Sequence, residues 1–222
     1  MKKGVVFDLD GTLVDSLPGI ARGLNLGIQA LGFAPLPEEA VRKMVGRGAR
    51  ELCRSALQAI QGGIASEEDP LIDKILEGFM RFYPDTWQNG TIPYPGIREM
   101  LSDLKDKGFK LGVLSNKPHL VTVPLVASVF PEIGFNTVMG FSPEFPRKPD
   151  PTSLLHIIDG WGLTPDDVCM VGDSAHDGNT GKNAGTHLLL VGWGYSERKQ
   201  LEDFGVPICE TAESLTEQIE KI

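Results

Sequence analysis

Two aspartates, Asp8 and Asp10, close a short apolar run in Gly4-Val5-Val6-Phe7-Asp8-Leu9-Asp10-Gly11-Thr12. Val5, Val6 and Phe7 are β-branched or aromatic, and the run is short enough for a buried strand. Two carboxylates at its exit put negative charge at the mouth of a sheet, which is tolerated where a cation accompanies it. A metal-held carboxylate aimed at phosphorus can act as a nucleophile, and a second one two residues on can move the leaving-group proton. Asp10-Gly11 by itself also fits a tight turn between two strands. Three further segments argue for the chemistry.

Ser115-Asn116-Lys117-Pro118 follows a second apolar run and reads as a strand end opening a helix, with proline in its first turn. A hydroxyl beside free backbone N–H groups there makes a seat for phosphate oxygens, although taken alone the segment fits an ordinary capped turn better. Arg147-Lys148-Pro149-Asp150-Pro151 sets Lys148 in a stiff, proline-bracketed loop. Its ammonium can neutralise phosphoryl oxygens and hold Asp8 ionised, or it can be a solvated cation ahead of a helix. Gly172-Asp173-Ser174-Ala175-His176-Asp177 is a second acidic cluster. Ser174 and Asp177 fit a capping box, but Asp173 sits at the strand end, outside any cap. Asp8, Asp10 and Asp173 together offer the hard oxygen ligands that Mg2+ prefers. Gly46-Arg47-Gly48-Ala49-Arg50 is a glycine-flanked loop. It reads either as a lid that lowers Arg47 onto an anionic substrate or as a plain helix connector.

The elements that must position these residues are of two kinds. From Leu17 onward the period is helical: Ile20, Leu24, Ile28 and Leu31 mark one helix, Pro37-Glu38-Glu39 opens another, Leu52, Ala56, Leu57 and Ile60 mark a third, and Leu71, Ile75, Leu76, Phe79 and Phe82 a fourth. After the turn-rich stretch Gly90 to Pro95, strands alternate with helices. The expected strands are Lys110 to Ser115, Val138 to Phe141, Val168 to Val171 and Leu188 to Val191. That alternation predicts an α/β fold with a parallel sheet, into which 17–88 is inserted as an all-helical domain; 1–16 and 89–222 form the core. Open parallel sheets bind ligands beyond the carboxyl ends of their strands, where Asp8, Ser115 and Asp173 all fall.

The bulk composition narrows the partners. With 222 residues and a formal net charge of -9, the chain is not expected to bind nucleic acid or an anionic membrane surface. Met1-Lys2-Lys3 resembles the start of a signal peptide, but Asp8 breaks the apolar stretch too early. No segment reaches the roughly 20 apolar residues of a membrane span. Cys53, Cys169 and Cys209 are too scattered for a disulfide framework or a metal cluster. The expectation is a cytoplasmic protein.

In order and spacing, Asp8-Leu9-Asp10-Gly11-Thr12, Ser115-Asn116, Lys148-Pro149 and Gly172-Asp173-Ser174-x-x-Asp177 resemble the four motifs of the haloacid dehalogenase superfamily. The helical insertion looks like a type 1 cap on a Rossmann-like core. Val45 to Leu52, Tyr94-Pro95-Gly96-Ile97 and Leu114 to Pro118 are most similar to phosphoglycolate phosphatase-like enzymes. The resemblance implies that Asp8 becomes a phospho-aspartate and that Asp10 acts as acid and then base. Ser115, Asn116 and Lys148 would bind the substrate in the core, with Arg47 reaching it from the cap. Mg2+ would be held by Asp8, the Asp10 backbone carbonyl and Asp173, with Asp177 in its outer sphere. The implied reaction is hydrolysis of a small phosphorylated substrate such as 2-phosphoglycolate. A sugar-phosphate mutase, a pyrophosphatase, a nucleotidase or a non-catalytic scaffold could use the same core.

Overall fold

Gly4 to Phe7 are all buried, and a run that is apolar on both faces suits a central strand of a parallel sheet. A computed structural model describes residues 3–222, so Met1 and Lys2 of the leader-like start lie outside the described residues. The chain runs β1 (Gly4–Phe7), β2 (Val14–Asp15), then α1 (Leu17–Ala30), α2 (Glu38–Arg42), α3 (Ala49–Gln61) and α4 (Pro70–Gly90). It continues as β3 (Ile92–Pro93), α5 (Ile97–Asp106), β4 (Lys110–Pro118), α6 (His119–Val129), β5 (Thr137–Phe141) and α7 (Thr152–Gly160). Last come β6 (Val168–Gly172), α8 (Ala175–Ala184), β7 (His187–Val191), α9 (Arg198–Glu202), β8 (Ile208–Cys209) and α10 (Ala212–Ile219). Two compact units result: Met1–Val14 with Pro93–Ile222, and Asp15–Ile92.

The first unit is an α/β fold around a six-stranded sheet in the order β5-β4-β1-β6-β7-β8, with all five pairings parallel. Counted along the sheet's own strands, this is the Rossmann-like order 3-2-1-4-5-6. The order reverses between β1 and β6, so the crevice at their carboxyl ends is where such sheets hold ligands. Phe7 pairs with Val113 on one side and Val171 on the other, and the Asp8 N–H donates to the Val171 carbonyl at 2.8 Å. Under the sheet, Val6, Met170, Leu154, Ile157, Ile158 and Trp161 pack as one cluster.

Several local readings change. The strand expected to stop at Ser115 continues as β4 to Pro118, with a shift of register after Ser115. The helix therefore opens at His119, four residues past Ser115, and Pro118 only precedes it. The stretch before Lys110 holds α5, whose apolar positions Ile97, Met100, Leu101 and Leu104 are all buried. α9 and β8 leave no periodic signal in the sequence, being only five and two residues long. Among the described residues no helix is long and apolar enough to cross a membrane. Cys53, Cys169 and Cys209 are buried free thiols.

The second unit is helical, and α1 and α4 are its main pair. Gly19, Gly23 and Gly27 recur every fourth residue on α1, so they share one face of that helix. A Cβ on Gly27 would lie 2.8 Å from the Phe79 backbone nitrogen, and one on Gly78 would lie 2.8 Å from Gly27 Cα. The two backbones thus touch where any side chain would part them. Thr86 Oγ1 donates to the Gly19 carbonyl at 2.9 Å across the same seam. On α4 the buried apolar face is Ile72, Ile75, Phe79 and Tyr83, one residue out of step with the expected Leu71 and Phe82. α3 ends in a left-handed Gly62, so Gln61-Gly62-Gly63-Ile64 begins as a helix end.

Candidate active site

Each site residue of the first unit follows from a strand end or the loop after it. β1 delivers Asp8 and then Asp10; β4 delivers Ser115, Asn116 and Lys117; β6 delivers Asp173, and the first turn of α8 delivers Asp177. Lys148 comes from the loop after β5. Asp8, Asp173 and Asp177 are buried and form one cluster, with one ligand oxygen from each within 4.8 Å of the others.

Lys148 Nζ enters this cluster, 2.8 Å from Asp8 Oδ1 and 2.6 Å from Asp177 Oδ1. Asn116 holds the lysine in place by its backbone: Asn116 Nδ2 donates to the Lys148 carbonyl at 3.2 Å, and the Lys148 N–H donates to Asn116 Oδ1 at 2.9 Å. The structure therefore places Asn116, expected at the substrate, against the lysine loop. Asp177 divides its two oxygens. Oδ2 accepts from the Ser174 N–H at 3.0 Å and from Ser174 Oγ at 2.5 Å, which completes the capping box, while Oδ1 meets the lysine. Cap and ion pair thus coexist on one carboxylate.

Asp173 is fixed from two sides. Thr12 Oγ1 donates to Oδ1 at 3.1 Å, and the Tyr195 N–H donates to Oδ2 at 2.8 Å. The loop carrying Tyr195 fits closely because Gly194 has no side chain; a Cβ there would come within 2.2 Å of Asp173 Cβ. Trp193 Nε1 anchors the same loop on the Thr12 carbonyl at 3.1 Å. Sequence reasoning passed over Gly192-Trp193-Gly194-Tyr195. The signal that marks it is a Gly-x-Gly stretch directly after a strand, where close backbone approach is the rule.

Electrostatics explains what the cluster demands. Three carboxylates and one ammonium, all buried, leave an excess of negative charge that a low-dielectric site does not tolerate. Burial, aided by Asp177 and Asp173 and opposed by Lys148, pushes the Asp8 carboxyl up to about 8. Burial and Asp177 push Asp173 up to about 7 against the hydrogen bonds from Tyr195 and Thr12. Lys148 is disfavoured by burial, but Asp177 and Asp8 outweigh that and hold its ammonium above the ordinary lysine range. An all-oxygen donor set with surplus negative charge suits a hard divalent cation.

Asp10 stands apart from this cluster. Its carboxylate pairs with Lys117 Nζ through both oxygens, at 2.8 and 3.0 Å. The sequence alone assigns Lys117 no role. A lysine so deeply buried is rare unless paired, which is the clue that its strand-end position offered. Ser115 is buried, and its Oγ accepts from the Lys117 N–H at 3.3 Å. Arg47 belongs to the helical unit, in the bend between α2 and α3, and is exposed. In α8, a Cβ on Gly178 would meet the Phe204 ring at 2.3 Å, so this glycine lets that ring pack against the helix.

Comparison with known proteins agrees with this arrangement. The family model of haloacid dehalogenase-like hydrolases matches residues 5–191. The phosphoglycolate phosphatase of Rhodospirillum rubrum is 38% identical over 197 residues, covering 88% of this chain and 82% of that protein. The phosphoglycolate phosphatase of Nitrosospira multiformis is 34% identical over 200 residues, covering 90% of this chain and 87% of that one. A crystal structure from Lactobacillus delbrueckii subsp. bulgaricus, of a protein assigned to the phosphoglycolate phosphatases, superposes with a TM-score of 0.91 at 30% identity over 99% of both chains. The chain belongs to the haloacid dehalogenase-like hydrolases and is an enzyme of their phosphatase group.

Proposed function

We propose that this phosphatase is a Mg2+-dependent phosphomonoester hydrolase that works through a phospho-aspartate at Asp8. The observation that carries the reading is the buried trio Asp8, Asp173 and Asp177 with Lys148 set among them. Asp8, the Asp10 backbone carbonyl and Asp173 would hold the cation, with Asp177 behind them. When bound, Mg2+ would neutralise charge on the phosphoryl oxygens and on the carboxylates.

The remaining chemistry belongs to the chain itself. An Asp8 carboxylate oxygen forms a bond to phosphorus as the ester P–O bond breaks, and the Asp10 carboxyl gives its proton to the departing alkoxide. Asp10 then takes a proton from water as that water attacks phosphorus, which returns Asp8 to a carboxylate and releases phosphate. Lys148 and Ser115 hold the phosphoryl oxygens through these steps, which rely mainly on positioning and charge. The helical segment 17–88 serves as a cap on the core formed by 1–16 and 89–222, and Arg47 is its contact with the anionic substrate.

As substrate we propose 2-phosphoglycolate, supported by the naming of relatives 38% and 34% identical over most of their length. The test is a profile of small phosphate esters with and without Mg2+, run on the wild type and on Asp8→Asn. Hydrolysis should require Mg2+, favour 2-phosphoglycolate and vanish in the variant. Turnover that survives Asp8→Asn would sink the nucleophile assignment, and a bisphosphate-primed sugar isomerisation without ester hydrolysis would favour a mutase.

A further inference from the structure

Lys117 and Asp10 form an ion pair whose side chains are only 5% and 10% exposed. The ammonium spans both carboxylate oxygens, at 2.8 and 3.0 Å, so it fixes the plane of the carboxylate as well as its position. A buried pair of this kind is a poor source of stability, since the cost of removing two charges from water offsets most of their attraction. Its placement has a clearer logic. Asp10 leaves the same strand as Asp8, two residues on, yet the carboxylate cluster consists of Asp8, Asp173 and Asp177. Lys117 lies near the end of β4, the neighbour of β1, two residues beyond Ser115 and within the stretch to Pro118 where the register against β5 shifts.

We infer that Lys117 is a positioning residue that keeps the Asp10 carboxylate out of the acidic cluster and holds it to take the proton from the attacking water. This rests on the role given to Asp10 above. A carboxylate on a rotatable side chain next to a divalent-cation site has a competing place to go, namely the cation. The lysine removes that alternative by offering a fixed cation of its own. Without it, Asp10 retains its chemistry and loses its address.

The experiment is a double-mutant cycle on the full-length protein, using Lys117→Met, Asp10→Asn and the double variant, with Lys117→Arg as the charge-conserving control. Lys117→Met should lower kcat on 2-phosphoglycolate by roughly ten- to a hundredfold, the scale of a misplaced catalytic group, with KM changed little. In the Asp10→Asn background the same change should add almost nothing, because the group it positions is already disabled. Lys117→Arg should recover a large part of kcat. Mg2+ titration followed by thermal shift should show binding kept or tightened in Lys117→Met, since the released carboxylate can join the cation. If Lys117→Met will not fold, Lys117→Gln, which keeps a donor without the charge, runs through the same cycle.

Independent, multiplying losses would overturn the inference, as would a raised KM with kcat intact, which would make Lys117 a substrate-binding group. An Asp10→Asn variant that turns over normally would overturn the assignment of Asp10 itself, and this inference with it.

Discussion

Lys148 Nζ lies 2.8 Å from Asp8 Oδ1, and the lysine side chain is only 2% exposed. The pair joins a loop after one edge strand to the tip of the central strand, and the Asn116 side chain holds that loop by two hydrogen bonds to the Lys148 backbone. An ammonium already in contact with the carboxylate proposed as nucleophile needs no rearrangement to neutralise charge that builds up there.

Lys148→Met should therefore damage catalysis and folding together. Losing one charge-stabilising donor costs about 10²–10³ in kcat. Breaking a buried pair by removing one partner costs about 3–5 kcal/mol, because the Asp8 and Asp177 charges stay buried without it. Steady-state kinetics and urea denaturation read the two effects. A variant as stable and active as the wild type would mean that the lysine is not in the cluster.

The raised carboxyls make stability depend on pH in the metal-free protein. Asp8 and Asp173 have ordinary values near 3.8 when unfolded and about 8 and about 7 when folded. Between these limits the folded state binds more protons than the unfolded one, so stability falls as pH rises. The contribution is fully present below about pH 4 and is lost as pH climbs through about 7 to 8. In EDTA the Tm should drop from pH 5 to pH 8, and saturating Mg2+ should flatten that slope by stabilising the ionised carboxylates. A Tm equally steep with Mg2+ present would place the cation elsewhere.

Gly194→Ala should uncouple Asp173 from its supports. The added Cβ would sit 2.2 Å from Asp173 Cβ, so the loop or the carboxylate must shift. Isothermal titration with Mg2+ should show at least about tenfold weaker binding, in the range found when groups orienting a metal ligand are disturbed. Unchanged affinity would show that the loop does not set the carboxylate.

Gly27→Ala sets two effects against each other. Alanine is worth about 1 kcal/mol over glycine in a helix interior. The new methyl, however, would press on the Phe79 nitrogen at 2.8 Å and on Gly78 carbonyl carbon at 3.0 Å, and backbone cannot swing aside as a side chain can. Overpacking of that kind costs about 1–3 kcal/mol, so the net should be a loss of stability. Urea unfolding decides it: a gain would mean that α1 and α4 are farther apart than described.

The chemistry was legible in the residues at strand ends. Asp8 and Asp173 stand out because charged residues directly after apolar runs have few structural uses, Lys148 because prolines bracket its loop, and the strands themselves show in their β-branched runs. Asp173 stood out further because a capping box already accounted for Ser174 and Asp177. Where the reading slipped, the signal was short or shared. Ser115 to Pro118 holds a proline that suits a helix start, yet sheet pairing carries β4 through it.

From the order of residues alone came the α/β alternation, the acidic strand tips and the helical insertion, because periodicity and backbone preference are properties of near neighbours in the chain. Partnership was settled only in three dimensions. Nothing local tells Lys117 to choose Asp10, Asn116 to clasp the Lys148 backbone, or Gly194 to make room for Asp173. Those choices depend on which strands lie side by side and where their ends converge, and parallel pairing is decided by contacts between segments many tens of residues apart.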